Sequence, residues 1–122
     1  MSYRLSSPRP PALAENDVER QCLDWLRARG WYPIRLHSAL LRTLDNRFVR
    51  IGEIGLPDYV VLHARCPAFF LETKRPGAGL SPRQIKKRWE LQTAYRLPVA
   101  VADGVETLAQ WLKNHELEQA MK

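Results

Sequence analysis

Val18, Cys22, Trp25 and Leu26 recur on one face at helical spacing, and Gly30 stands where a C-terminal stop belongs, so residues 16–29 are predicted to form a first helix. Residues 32–37 read as a strand. Segments 40–44 and 47–51 flank Asp45-Asn46 as the arms of a hairpin. Two stronger apolar runs, 59–63 and 69–74, predict central strands joined by a short link that carries Cys66 and Pro67. Pro76, Gly77 and Gly79 mark a loop. Ser81-Pro82 then supplies the N-cap and first-position proline of a helix reaching residue 95 or 96, with Ile85 and Trp89 on its apolar arc. Residues 98–102 read as a buried strand, and Val105, Leu108, Ala109 and Leu112 mark a final amphipathic helix. The order is helix, three strands, helix, strand, helix (αβββαβα). A strand, helix, strand passage implies a right-handed crossover, hence an α/β fold with a mixed central sheet flanked by helices.

Composition narrows the class. A chain of 122 residues, 45% hydrophobic and 26% charged, suits one globular domain with a core and excludes a disordered tail, a collagen-like rod or a coiled coil. Residues 1–14, with Pro8, Pro10, Pro11, Arg4 and Arg9, are expected to form a mobile basic leader, leaving 15–122 as the single domain. No apolar stretch approaches a membrane span and the start lacks a signal-peptide pattern, so a soluble, non-secreted, cytoplasmic protein is expected. Cys22 and Cys66 lack thiolate-metal spacing and read as core or loop thiols, while His37, His63 and His115 read as packing or surface residues. The net charge of +6 favours a polyanionic partner, either nucleic acid or an anionic lipid surface.

The chemistry concentrates at the end of the 69–74 strand. Glu72 and Lys74 lie two residues apart and leave the same face, while Thr73 points away with Leu71. Asp58 opens the preceding strand after Gly55-Leu56-Pro57; if the two strands pair antiparallel, Asp58 comes beside Glu72. Neighbouring carboxylates repel unless a proton or a cation intervenes, and Mg2+ is commonly held by one or two carboxylates. Taken singly, these residues read equally as a turn cap and a surface Glu-Lys ion pair.

Gly-x-Pro-Asp, thirteen intervening residues and then Glu-x-Lys at the end of an apolar strand resemble the PD-(D/E)xK nuclease superfamily, and within it the virus-type replication-repair nuclease (VRR-NUC) domain. The resemblance runs from the first helix to the last and implies a restriction-endonuclease-like core. It implies a metal-dependent, structure-selective DNA endonuclease acting in repair, recombination or phage replication in a bacterial or phage-infected cell, with Holliday-junction resolution among the activities. Asp58 and Glu72 then hold Mg2+, or Mn2+ in its place, with the Thr73 carbonyl, and Lys74 orients or stabilises the attacking water. Ser81-Pro82-Arg83-Gln84 looks like the family's Ser-Pro-x-Gln helix start, although Ser81 and Gln84 also form an ordinary capping box. Glu19 looks like the acidic residue of the family's first helix; it falls inside the apolar arc and therefore needs a partner, with Glu15 as the alternative. Stand-alone members look like two-fold homodimers that cut branched DNA. The family's compact members need less chain than residues 38–54 supply, which marks that stretch as a substrate-facing arm.

Lys74, Arg75, Arg83, Lys86, Lys87 and Arg88 fall within fifteen residues that contain no acid. Arg83, Lys86 and Lys87 are expected on the solvent side of their helix, opposite Ile85 and Trp89, where the run forms either a phosphate-binding surface or a merely solvated face. A non-catalytic DNA- or RNA-binding module and a sequence-specific restriction-type nuclease are the rival readings.

Overall fold

The computed structural model describes residues 14–36, 39–42, 44–51 and 55–115. Three helices, α1 (Glu15–Ala28), α2 (Pro82–Ala94) and α3 (Val105–Asn114), accompany six strands: β1 (Tyr32–Arg35), β2 (Ala39–Arg42), β3 (Phe48–Ile51), β4 (Tyr59–Leu62), β5 (Phe69–Thr73) and β6 (Val99–Ala102). The expected leader, apart from Ala14, lies outside the described residues, as does His37.

The four-stranded sheet has the order β1-β4-β5-β6 and is mixed. β1 pairs antiparallel with β4, β4 antiparallel with β5, and β5 parallel with β6 across the α2 crossover. The expected α/β class with a mixed sheet is therefore present. β2 and β3 form a separate antiparallel ladder from Ala39↔Ile51 to Arg42↔Phe48, shorter than the anticipated arms. Asn46, in the connection, takes a φ of 67°, a left-handed value that its short polar side chain tolerates. α1 ends where Gly30 was expected to stop it: Gly30 at φ 86° lets its N–H reach the Arg27 carbonyl and the Trp31 N–H reach that of Leu26.

The period-two alternation divides the sheet into unlike faces. Tyr59 and Val61, Phe69 and Leu71, and Ala100 and Ala102 share one face and are buried under Val18, Cys22, Leu23 and Leu26 of α1 and Leu108 and Leu112 of α3. Trp31 closes that core against Phe69 and His63, with ring centroids 5.1 and 4.8 Å away. Burial pushes the Cys22 thiol up to about 11, in keeping with an inert core cysteine. The other face carries Val60, Phe70, Glu72 and Val101 in successive rows and is covered by α2.

α2 does not present the side that its sequence suggests. Ile85 and Trp89 are 55% and 67% exposed, while Gln84, Lys87, Arg88, Glu90 and Leu91 are the partly buried positions, and no residue of this helix is fully buried. The expected apolar arc points outward. The reason lies beneath the helix, where the sheet offers Glu72, a polar group that must be satisfied, and Gln84 is the side chain that reaches it.

Candidate active site

The β4-β5 ladder sets the centre of the site. Tyr59 pairs with Leu71, so the next row brings Asp58 opposite Glu72, as an antiparallel pairing requires. The two carboxyl groups come within reach of a shared proton. Thr73 fixes Asp58 from the neighbouring position: its backbone N–H and its hydroxyl both donate to Asp58 Oδ2, at 3.0 and 3.1 Å. Thr73 is fully buried and brings two donors to the site.

Glu72 is 4% exposed. Burial, reinforced by the hydrogen bond and the charge of Asp58, pushes its carboxyl up to about 9; Lys74 works against that rise and Glu15 adds to it. Lys74 therefore acts electrostatically on Glu72 across one pleat, and among the described residues it forms no ion pair, so the surface Glu-Lys bridge is not what forms. Its backbone N–H continues the parallel ladder to the Ala102 carbonyl at 2.9 Å, which holds the stem of the side chain at the sheet end.

Gln84 forms the capping box expected of it and also reaches Glu72. Its Oε1 accepts from the Ser81 N–H at 2.9 Å and its own N–H donates to Ser81 Oγ at 3.2 Å, a complete capping box. The same amide turns its Nε2 to Glu72 Oε1 at 3.0 Å. Gly55 makes this approach possible. Its φ of 85° suits glycine, and a Cβ there would stand 2.6 Å from the Arg83 carbonyl oxygen, so the turn leading to Asp58 packs directly on the first turn of α2.

Glu19 is not beside this pair. Its Oε1 accepts from Arg35 Nη1 at 2.7 Å and from the Tyr59 hydroxyl, while Arg35 Nη1 also lies 2.9 Å from Tyr59 Oη. Burial and the contact with Glu19 push the Tyr59 phenol up to about 12. The partner that a carboxylate in the apolar arc needs is thus a guanidinium and a phenol. Glu15, one turn earlier, is the α1 acid whose charge reaches Glu72. Tyr59 and Arg35 were not singled out in the sequence. The available signal was the unpartnered Glu19 together with an aromatic residue adjoining Asp58.

The basic run is split by the fold. Arg75, Arg83 and Lys86 are exposed. Lys87, expected toward solvent, has a side chain only 17% exposed and pairs with Glu90 at 3.1 Å. Arg88 is partly buried, with its Nε enclosed and unbonded among the described residues. Arg83, Lys86, Lys87 and Glu90 line a shallow groove of about 210 Å³ along α2.

Among the described residues no group of three His, Cys, Asp or Glu side chains gathers to hold a metal, and Asp58 and Glu72 are the two carboxyl groups that meet at this centre. The donor set nevertheless fits a hard dication: two carboxyl groups close enough to share a proton are ligands from which such an ion can displace it. Among the described residues no helix is long and apolar enough to cross a membrane. Comparison of the chain with protein-family models, with curated proteins and with solved structures gives no match.

Proposed function

We propose that this chain is a divalent-metal-dependent DNA endonuclease built on a PD-(D/E)xK core of the VRR-NUC kind, cutting branched or otherwise structured DNA. The observation that carries the reading is the single sheet row in which Asp58 faces Glu72, with Lys74 one pleat beyond and Gln84 of α2 hydrogen-bonded to Glu72. Phosphodiester hydrolysis at neutral pH needs an activated water and compensation for charge gathering on the phosphate, and a bound Mg2+ or Mn2+ supplies both. Asp58 and Glu72 are the residues that hold such an ion. Thr73 keeps Asp58 in one orientation through two donors, and Gln84 keeps Glu72 in one rotamer. Lys74 places a positive charge beside the scissile phosphate.

Arg75, Arg83 and Lys86, with the α2 groove, provide an adjoining basic surface for the DNA backbone. A homodimer completes the proposal on symmetry grounds, since paired cuts in a four-way junction need two centres related by a two-fold axis. The test is incubation of the purified chain with four-way junction, flap, linear and single-stranded DNA in Mg2+, Mn2+ or EDTA, alongside light scattering. Metal-dependent cutting of branched DNA that disappears in Asp58→Asn and Lys74→Ala supports the reading. Binding without cleavage under every metal condition leaves a nucleic-acid-binding module in its place.

A further inference from the structure

Arg35 is a charged group that the residue pattern left without a role and that the fold brings to the rim of the site. It ends β1 in the row Arg35, Tyr59, Leu71, whose side chains leave the sheet on the α1 face, and that row adjoins the one that carries Asp58 and Glu72 at the sheet end. The Leu36 N–H donates to the Asp58 carbonyl at 2.8 Å and fixes that relation. With neighbouring strands about 4.8 Å apart, the Arg35 backbone stands about 10 Å from that of Glu72. That is about three nucleotide rises along one DNA strand. Glu19, its ion-pair partner, lies one helical turn after Glu15, whose charge Glu72 feels.

Among the described residues, one nitrogen of the guanidinium is engaged. Nη1 serves both Glu19 Oε1 and Tyr59 Oη, whereas among the described residues Nε and Nη2 donate to nothing, and the side chain is 54% exposed. Glu19 also lines a solvent-open groove of about 210 Å³ along α1 with Asn16, Arg20, Leu23, Asp24 and Arg27. The Tyr59 hydroxyl already joins β4 to α1 through Glu19, and the Arg35 pair adds little to that tie as a half-exposed bridge. What the arrangement adds is a half-exposed guanidinium held at one corner, a group whose fork can take a phosphate in a bidentate manner.

We infer that Arg35, held by Glu19 and Tyr59, is a backbone-phosphate contact for the DNA strand entering the Asp58–Glu72 site, an inference that rests on the reading of this site as one that takes DNA. The test is equilibrium binding of the full chain to a fluorescent four-way DNA junction in EDTA, over a series of KCl concentrations, with circular dichroism to establish folding. Arg35→Gln is expected to weaken binding and to reduce the slope of log affinity against log salt by about one. Arg35→Lys is expected to keep the slope and still bind more weakly, because an ammonium has no fork. An unchanged slope in folded Arg35→Gln overturns the inference. Should that variant not fold, wild-type affinity in Arg35→Lys overturns it instead. Wild-type protein that does not bind the junction removes both this inference and the nuclease reading, whereas binding with the expected slope change but no cleavage in Mg2+ removes the nuclease reading alone.

Discussion

The two faces of the sheet are built from the same strands and do opposite work. Toward α1 and α3 the middle rows are apolar, with Phe69, Leu71, Val61 and Ala100 fully enclosed, and Thr73 and the Tyr59 hydroxyl bring polar groups at the sheet end. Toward α2 the same strands carry Phe70 and Glu72, and the covering helix buries no side chain completely. The first face accounts for stability: each large side chain removed from water there contributes about 1.5–3 kcal/mol. On the second, a carboxyl 4% exposed, held neutral by burial and by Asp58, stands where an apolar residue would stabilise the fold more. An energetic cost retained at one position and offset by an apolar core on the other side is what the proposed site requires.

The contrast is open to attack from its strongest point downward. Asp58→Asn is expected to lower metal-dependent cleavage by about 10³-fold or more while the far-ultraviolet circular dichroism stays native, measured as initial rates on a junction substrate. Phe69→Ala, on the other face, is expected to cost about 3–5 kcal/mol in urea unfolding, with the rate per folded molecule preserved at low temperature. If the two variants exchange these phenotypes, the division between the faces is wrong.

Acidity sharpens the comparison further. The Glu72 carboxyl lies near 4.5 when exposed and at about 9 in the folded chain, so between those values the folded state binds more protons than the unfolded one. Stability without metal should therefore fall as pH rises from about 4.5 to about 9, its Glu72 contribution being complete at the acid end. Glu72→Gln keeps an acceptor for Gln84 and offers Asp58 a donor at every pH. It is expected to flatten that slope and to raise stability at pH 8 by about 1–3 kcal/mol while abolishing cleavage, as read by thermal melts in EDTA and by the junction assay. A variant less stable than wild type at pH 8 would show that the charged form is the one the fold favours.

Smaller effects belong to α2. Gln84→Ala removes half of the capping box and the contact to Glu72 together, and about 0.5–2 kcal/mol of stability should go with it, accompanied by a lower rate. Gln84→Glu keeps the cap acceptor, so a rate loss in that variant with stability retained separates the two roles. Trp89→Ala, at a position 67% exposed, should change stability by no more than about 0.5 kcal/mol in dilute solution, by the same urea titration.

Much of this molecule was legible without coordinates because it depends on short-range rules. The helix stop at Gly30, the Ser81-Pro82 start, the apolar runs of β4, β5 and β6 and the shared face of Glu72 and Lys74 follow from local sterics and from a period of two or 3.6. Even the meeting of Asp58 with Glu72 needed only one further assumption, an antiparallel pairing. The sequence could not decide orientation wherever two faces of one element compete. Helical spacing makes Ile85 and Trp89 the apolar arc of α2, yet the helix is turned by Gln84 reaching Glu72 and by the Arg83 backbone packing on Gly55, contacts between segments twelve and twenty-eight residues apart. Nor could spacing give Glu19 its partners, because Arg35 and Tyr59 reach it only once β1, β4 and α1 have docked. Periodicity records what one segment wants to bury; which neighbour it meets, and which of its polar groups must then be satisfied, is fixed by the packing of the whole chain.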